Sequence, residues 1–412
     1  MKKPLLILLT DAYPVILYEL FIEDEIRVIA PHFDKIIFMT ENQKESEIQP
    51  YIPANSVTCK YDTSPTLLNK FQALKYLCYG FFYKELLFAL KKLHKKQFKT
   101  VLKIMFMELA RAQRTIGELK HLLQENKGLY TQIYLYSYWH NHKALALALL
   151  RKKDKEKICF ARAHGWDVFA GRHAIPYLPF KTFILKNLDC TYSISETGKK
   201  EFEKNYGNDI RSKVRVSRLG KFNDRQPVFR VNDNGYLLFS CSELLPVKRV
   251  HLIIELISKL PLTNIRWIHY GEGPLRKELE ALAAELLPHV SYELRGVVPN
   301  KEILDFYQTN PVDLFINLSE SEGIPVSIME SLSSGVPVLA TDVGGTSEAV
   351  HAEHGFLIEK NFDMNQVAEI ITKYLLSPRE IKLNYKQNAY SFWQEHFEAT
   401  KNYSEFLRMI IR

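Results

Sequence analysis

Two glutamates flank the predicted start of a helix in the segment SESEGIPVSIMESLSSGVPVLATDVGGTSEAV, which begins at Ser319. Glu322 lies just before Pro325, and proline fits the first helical position because the N–H that it lacks would have no intrahelical acceptor there. Glu330 follows further along the helix, and Gly335 fits the left-handed residue that ends it. The helix is predicted to follow a buried strand, and open parallel sheets bind ligands at the carboxyl ends of their strands.

This arrangement favours a ligand that carries both phosphates and hydroxyl groups. The N-terminus of a helix attracts a diphosphate through its N–H groups and its partial positive charge. A carboxylate repels phosphate but accepts hydrogen bonds from sugar hydroxyls. Glu322 and Glu330 therefore indicate a nucleotide sugar, with ribose at one end and a hexose at the other. On spacing alone, the alternative is an amphipathic surface helix with incidental glutamates, because glutamate is common in helices.

The elements around this segment are predicted from short apolar runs separated by segments of helical periodicity. Continuous apolar runs of this length are typical of strands buried on both faces of a parallel sheet. Helices are predicted at 251–260 and 275–286. The alternation predicts a doubly wound α/β fold. The predicted strands are Leu5–Leu9, Lys35–Met39, Ile133–Tyr136, Tyr236–Ser240, Ile265–Tyr270, Leu314–Asn317 and Val336–Ala340.

The length of 412 residues predicts two domains. A polar, turn-rich stretch at 220–235, GKFNDRQPVFRVNDNG, marks the junction. We therefore predict an N-terminal domain at 1–220, a C-terminal domain at 221–385, and a final helical segment at 386–412.

The C-terminal motif resembles the retaining glycosyltransferases of family 4, whose hallmark is two glutamates separated by seven residues within a frame of glycines and prolines. The resemblance implies the GT-B fold, in which two Rossmann-like domains face a central cleft and a C-terminal helix crosses back to the N-terminal domain. It implies that a sugar is transferred from a UDP- or GDP-sugar with retention of configuration. The matching residues are Glu322, Gly323, Pro325, Glu330, Gly335, Pro337, Gly344, Gly345 and Glu348.

The resemblance also implies roles for individual residues. Glu330 would bind the donor ribose, Glu322 the transferred sugar, and Lys248 the diphosphate. His164, after a predicted strand, would face the transferred sugar with support from Asp167. The implied catalytic residues are His164, Lys248 and Glu322, and the implied donor-binding residues are Ser242, Gly271, Gly273, Val298, Gly323, Ile324, Pro325 and Glu330.

Two parts of the chain depart from the family pattern. Where the family has an arginine before the lysine, this chain has Glu243, and Arg249 is adjacent but out of register. The first loop lacks a Gly-Gly pair and resembles a subset of the family through Tyr13, Pro14, Glu19 and Phe21, with its role left open. The first departure leaves open a catalytically silent donor-binding homologue. Another GT-B enzyme, such as a nucleotide-sugar epimerase, is the second alternative.

No cofactor and no metal site are predicted. Many sugar transferases hold a divalent metal through Asp-x-Asp, and this pattern does not occur in the sequence. The acidic run Glu23-Asp24-Glu25 is predicted to be the exposed face of the first helix. Charge that develops on the leaving diphosphate would instead be stabilised by Lys248 and by helix N–H groups.

Cysteine usage and the absence of targeting signals predict a cytoplasmic protein. The number of cysteines, five, is odd, and none lies in a Cys-x-x-Cys pair, which argues against a disulfide framework and a zinc site. The apolar run Leu5–Leu9 is too short for a signal peptide. No apolar run is long enough to cross a membrane.

The net charge of +8 is concentrated in lysines and arginines between residues 70 and 120. We predict peripheral contact of this region with the anionic inner face of the cytoplasmic membrane. The alternative is a helical pair that packs on the N-terminal domain with solvated lysines. The implied acceptor is a glycan or a lipid-linked glycan of cell-surface polysaccharide biosynthesis, and no nucleic acid is expected. Phe71, Leu74, Leu77, Phe81 and Phe82 supply the predicted apolar surface, and Lys91, Lys92, Lys95, Lys96 and Lys99 supply the charge.

Overall fold

The computed structural model describes residues 4–15, 19, 21–41, 50–93, 95–232 and 234–411. The chain divides into two compact units, an N-terminal unit of Met1–Arg218 with Tyr403–Arg412 and a C-terminal unit of Leu219–Asn402. The division falls just before the polar stretch at 220–235.

A parallel sheet forms the centre of the N-terminal unit. Its strands, in the part of the chain that the structure describes, have the order β3-β2-β1-β4-β5-β6-β7. The strand Leu5–Leu9 is buried along its whole length, as is typical of strands covered on both faces. The strands are β1 (Leu5–Leu9), β2 (Lys35–Glu41), β3 (Ser56–Tyr61), β4 (Ile133–Ser137), β5 (Ile158–Ala163), β6 (Cys190–Ser193) and β7 (Val214–Val216).

Helices follow the strands and cover this sheet. The longest is an amphipathic helix whose buried face includes Met105, Leu109 and Ile116. The helices are α1 (Phe21–Ile29), α2 (Leu67–Leu74), α3 (Gly80–Lys92), α4 (Phe98–Glu125), α5 (His142–Lys153), α6 (Gly165–Val168), α7 (Lys181–Asn187) and α8 (Glu196–Tyr206).

The C-terminal unit contains a second parallel sheet, whose described strands have the order β10-β9-β8-β11-β12-β13. The strands are β8 (Tyr236–Cys241), β9 (Ile265–Tyr270), β10 (Ser291–Arg295), β11 (Leu314–Asn317), β12 (Val338–Thr341) and β13 (Gly355–Ile358). The helices are α9 (Val250–Lys259), α10 (Arg276–Leu286), α11 (Asn300–Thr309), α12 (Val326–Ser333), α13 (Met364–Leu375) and α14 (Arg379–His396), and α15 (Ala399–Ile410) ends the chain.

All seven predicted strands are confirmed within a few residues, and so are the helices predicted at 251–260 and 275–286. The largest difference is at β12, which was predicted to begin at Val336 and begins at Val338. Pro337 lacks the N–H that a strand ladder needs. Gly335 has the predicted left-handed backbone, with φ of +67°. The prediction that Pro325 opens α12 is wrong by one residue: Pro325 is the N-cap, with ψ of 127°, and Val326 is the first helical residue.

The expected exposed face at Glu23-Asp24-Glu25 is wrong. Glu25 is buried on the helical face of Ile22, Ile26 and Ile29, and Asp24 is buried as well. Glu25 accepts a hydrogen bond from the Tyr136 hydroxyl at 2.8 Å. Its Oε2 atom lies 2.9 Å from the Arg162 guanidinium, and both side chains are fully buried. A buried carboxylate needs such a partner, because an unpaired charge away from water is strongly destabilising.

The end of α15 packs within the N-terminal unit. The Phe406 ring lies 5.0 Å from that of Tyr192 and 5.6 Å from that of Tyr136. The Arg162 guanidinium lies 4.4 Å from the Phe406 ring centroid, and the Tyr192 hydroxyl donates to the Met409 carbonyl at 3.3 Å. These contacts pack the last residues of the chain against the tyrosines of β4 and β6.

Candidate active site

Glu322 and Lys248 form an ion pair at the carboxyl edge of the C-terminal sheet. Lys248 ends a short 3₁₀ turn that follows β8, and Glu322 lies in the loop between β11 and α12. The Lys248 Nζ atom donates to Glu322 Oε1 at 2.6 Å. The Glu322 side chain is 8% exposed and the Lys248 side chain 22% exposed. Neighbouring strands therefore place an ammonium group and a carboxylate together beside the start of α12.

The start of α12 supplies further donors at the same edge. Ile328 N donates to the Pro325 carbonyl at 3.1 Å, so the helix begins immediately after Pro325. A helix leaves its first N–H groups without intrahelical acceptors, and these point toward any anion at its N-terminus. The ammonium of Lys248 and the amides of α12 are thus suited to a diphosphate.

Glu330 lies on α12 and is buried. Its Oε1 atom accepts a hydrogen bond from the Asn300 side-chain amide. The Lys221 Nζ atom lies 3.5 Å from the same oxygen, and both side chains are less than 10% exposed. Sequence reasoning missed Lys221 and Asn300. A buried carboxylate on a helix needs polar partners, so the sequence could indicate that Glu330 has partners but not which residues they are.

Glycines bring the surrounding loops into backbone contact. At Gly344, with φ of +59°, a Cβ atom would lie 1.8 Å from the Glu322 carbonyl oxygen. At Gly271, with φ of +146°, a Cβ would lie 1.8 Å from the Ser242 carbonyl oxygen. The Gly345 N–H also donates to the Gly323 carbonyl at 2.7 Å. A larger residue at Gly344 would displace the loop that carries Glu322, and a larger residue at Gly271 would displace the loop that leads to Lys248.

The other predicted donor-binding residues lie along the same edge. Gly273 lies close to the backbone of Leu244, which donates to the Glu272 carbonyl at 3.0 Å. Ile324 is buried beside Pro325. The residues follow β8 (Ser242), β9 (Gly271, Gly273), β10 (Val298) and β11 (Gly323, Ile324, Pro325), and their contact with a donor stays a prediction.

Arg249 connects loops through backbone carbonyls. Its Nε atom donates to the Leu318 carbonyl at 2.7 Å, and Nη1 donates to the Lys360 carbonyl at 3.1 Å. Its backbone is left-handed, with φ of +47°, at the N-cap of α9. Glu243, where the family resemblance expects arginine, is exposed. Arg249 therefore positions the loop that bears Lys248.

His164 belongs to the N-terminal unit, where it follows β5 and caps α6. Burial and the charge of Arg162 lower the pKa of His164 to about 3, so the imidazole is neutral at pH 7. Its ring lies 4.7 Å from that of Trp139. Among the described residues, its buried Nε2 atom has no hydrogen-bond partner. A buried polar atom of this kind is the exception in folded proteins and suits a ligand contact.

Asp167 supports His164 through the backbone. Its carboxylate accepts the His164 N–H at 3.2 Å, which fixes the turn at the start of α6. Burial raises the pKa of Asp167 to about 6.

Glu19 closes the first loop of the N-terminal unit. Its Oε2 atom accepts the N–H groups of Ala12 and Tyr13, each at 2.6 Å, and its other oxygen accepts from the Trp139 indole. The carboxylate thereby orders the loop at the carboxyl end of β1. In the described ranges, no group of three or more His, Cys, Asp and Glu side chains is placed to hold a metal ion.

The sequence of the C-terminal unit is similar to those of known glycosyltransferases. Residues 222–392 match the family model described as glycosyl transferases group 1, a range that includes Lys248, Glu322 and Glu330. The chain is 27% identical over 211 residues to the O-antigen biosynthesis glycosyltransferase WbnH of Escherichia coli. That match covers 50% of this chain and 57% of WbnH, so it spans little more than half of the relative.

Solved structures confirm the predicted α/β fold of the GT-B class. HepE (Alr3699) of Anabaena, in complex with UDP, matches with a TM-score of 0.64 and 16% identity over 99% of both chains. Sucrose-phosphate synthase of Thermosynechococcus elongatus matches with a TM-score of 0.69 and 15% identity, over 99% of this chain and 98% of its own. At these identities the likeness establishes the fold.

Replacing Glu330 with glutamine is expected to weaken nucleotide binding. Glutamine keeps the length of the side chain but loses the charge that would accept ribose hydroxyls. The loss should be about 1.5–3 kcal/mol, the range for hydrogen bonds to charged groups. Calorimetry with UDP or GDP, whichever stabilises the wild type in a thermal-shift panel, measures it.

The matched control is Glu320→Gln, because Glu320 lies in the loop before α12 and pairs with Lys360 at the surface at 2.9 Å. It should bind like the wild type. Unchanged affinity in a Glu330→Gln protein with a normal unfolding temperature would contradict the assignment.

Proposed function

We propose that the chain is a retaining glycosyltransferase of the family 4 type, which moves a sugar from a nucleotide-sugar donor to a glycan or lipid-linked acceptor of cell-surface polysaccharide. The observation that carries the proposal is the Lys248–Glu322 pair at 2.6 Å beside the start of α12, with Glu330 buried on the same helix. The family-model match over 222–392 supports it. The name of WbnH supports a polysaccharide product.

The proposed mechanism assigns leaving-group stabilisation to Lys248. Breaking the bond between the sugar and the diphosphate places negative charge on the β-phosphate oxygens. The Lys248 ammonium and the N–H groups at the start of α12 would meet that charge without reorganising, which lowers the barrier. Glu322 would accept hydroxyls of the transferred sugar, and Glu330 those of the ribose. We propose that the acceptor attacks from the face that the leaving group vacates, with no nucleophile supplied by the protein.

His164 is proposed to contact the transferred sugar. Its unpartnered Nε2 atom and low pKa suit a neutral imidazole that exchanges a hydrogen bond with a hydroxyl group. For the donor base, the solved complex of HepE with UDP-glucose favours a UDP-sugar over a GDP-sugar as the first candidate.

The two alternatives predict different products. A silent homologue, for which the exposed Glu243 is the supporting observation, would bind a nucleotide sugar without consuming it. An epimerase would return a nucleotide sugar with altered configuration. A transferase slowly hydrolyses its donor to free sugar and nucleoside diphosphate when no acceptor is present. Product analysis after long incubation therefore separates the three.

Replacing Lys248 with methionine is expected to reduce turnover more than donor affinity, because the leaving-group charge grows in the transition state. The expected loss in kcat for donor hydrolysis is about 10²–10³-fold, the range for removing one such donor. Lys360→Met, which removes a surface lysine paired with Glu320, is the control. A raised KM with unchanged kcat would show that Lys248 only binds.

Activity is expected to survive removal of divalent metals, since the proposed charge stabilisation uses protein groups. The assay compares donor hydrolysis before and after dialysis against EDTA. Loss of activity that Mg²⁺ or Mn²⁺ restores would contradict the metal-independent mechanism.

We further propose that the protein contacts the inner face of the cytoplasmic membrane through α2 and α3. Leu67 is 83% exposed, Phe71 72% and Leu87 58%, which is unusual for large apolar side chains. Lys84 and Lys91 are exposed on α3 among these residues. Apolar side chains surrounded by lysines suit an anionic lipid surface. Among the described helices, none is long and apolar enough to cross a membrane.

The structure corrects the apolar surface predicted from the sequence. Phe82 is buried in the core, and Phe81 is partly buried against it, with its ring 4.3 Å from that of Phe183. Phe71, Leu74 and Leu77 are exposed as expected. The side chain of Lys95 lies outside the described residues.

Liposome co-sedimentation at low salt is expected to show binding to anionic but not to neutral vesicles. Replacing Lys84 and Lys91 with glutamine should weaken binding by about 2 kcal/mol, at roughly 1 kcal/mol for each lysine near the surface. The control replaces Lys127 and Lys155, which are exposed at the amino edge of the sheet. Equal binding by both double variants, or no binding of the wild type to anionic vesicles, would refute the contact.

A further inference from the structure

A cavity of about 460 Å³ lies wholly within the N-terminal unit. Its walls include Glu108 and Arg111 of α4, Trp166 of α6 and Lys181 of α7. His140, in the loop after β4 at the carboxyl edge of the sheet, also lines the cavity. Ligands of open α/β sheets bind at this edge, and about 300–1,000 Å³ is usual for small-molecule sites.

The charged groups that line the cavity balance one another. Lys181 is only 3% exposed, and its ammonium donates to the His140 carbonyl. The carboxylate of Asp167 is likewise buried, and the nearby charge of Lys181 opposes the rise in its pKa. Glu108 and Arg111, on successive turns of α4, add one acidic and one basic side chain, and burial raises the pKa of Glu108. The lining therefore combines two acidic with two basic side chains, which suits a neutral ligand with many hydroxyls better than an anion.

An aromatic surface adjoins these polar groups. Trp166 is 53% exposed although it is large and apolar. The His173 ring lies 4.1 Å from the Trp166 ring, and its Nε2 atom is 2.8 Å from the Trp166 carbonyl oxygen, so this pair is held in place. The electron-rich face of an indole attracts the weakly positive C–H groups of a pyranose ring.

We propose that this cavity binds a neutral pyranose unit of the acceptor glycan, with Trp166 as the stacking surface and Glu108 and Lys181 as hydroxyl partners. The inference rests on the proposed glycosyl transfer, and it adds the chemical class of the acceptor and the residues that select it. Acceptor binding would thereby depend on residues of α4, α6 and α7 that take no part in holding the donor.

Saturation-transfer NMR on the full chain tests the proposal with a panel of neutral methyl pyranosides (glucose, galactose, mannose and N-acetylglucosamine) and methyl glucuronide as the anionic probe. At least one neutral glycoside should bind. Trp166→Ala should weaken that binding about tenfold, the loss of one aromatic contact. Glu108→Gln should also weaken it, whereas Trp166→Phe should retain most of the affinity because it keeps an aromatic ring.

Calorimetry with UDP on the same variants separates this proposal from the proposed function. Unchanged UDP binding with lost glycoside binding supports the cavity as a distinct sugar site. No binding of any neutral glycoside, binding of methyl glucuronide alone, or binding that survives both Trp166→Ala and Glu108→Gln would overturn it. Failure of the wild type to bind UDP or GDP would instead count against the donor site. The glycoside outcomes above would still decide whether the cavity binds a sugar.

Discussion

The close approach of the loops that follow β8 and β11 is the constraint on which the candidate active site depends. It places the Lys248 ammonium 2.6 Å from the Glu322 carboxylate at the start of α12. Gly344 lets the loop after β12 lie against the loop after β11, and Gly271 lets the loop after β9 lie against the loop after β8, because a side chain at either glycine would collide with backbone. Arg249 fixes the same loops by donating to two backbone carbonyls. The chemistry proposed for Lys248 thus rests on backbone packing as much as on the residue itself.

A second carboxylate in this unit is buried with its own partners. Glu330 is held by Asn300 and lies 3.5 Å from Lys221. Buried charges of this kind are costly unless they are paired, so their geometry is well defined. The pairing fixes where a ribose could meet the carboxylate. It also ties the first residues of the C-terminal unit to the helix that would bind the diphosphate.

The sequence predicted most of the fold, because continuous apolar runs bounded by polar turns indicate buried parallel strands. It also predicted the left-handed Gly335, since glycine and proline have strong local preferences. What it missed depends on contacts between distant residues. Nothing in the spacing connects Lys221 or Asn300 with Glu330, and nothing connects Glu25 with Arg162, the partner that compensates its buried charge. Phe81 and Phe82 were assigned to the surface, although tertiary packing buries Phe82 in the core and partly buries Phe81 against it.

A structure of the protein with a non-hydrolysable nucleotide sugar tests the central claim most directly. We expect the diphosphate at the N-terminus of α12 within hydrogen-bond distance of Lys248 Nζ, with the sugar at Glu322 and the ribose at Glu330. A nucleotide bound elsewhere in the C-terminal unit, or a diphosphate at α12 with Lys248 still paired only to Glu322, would contradict it.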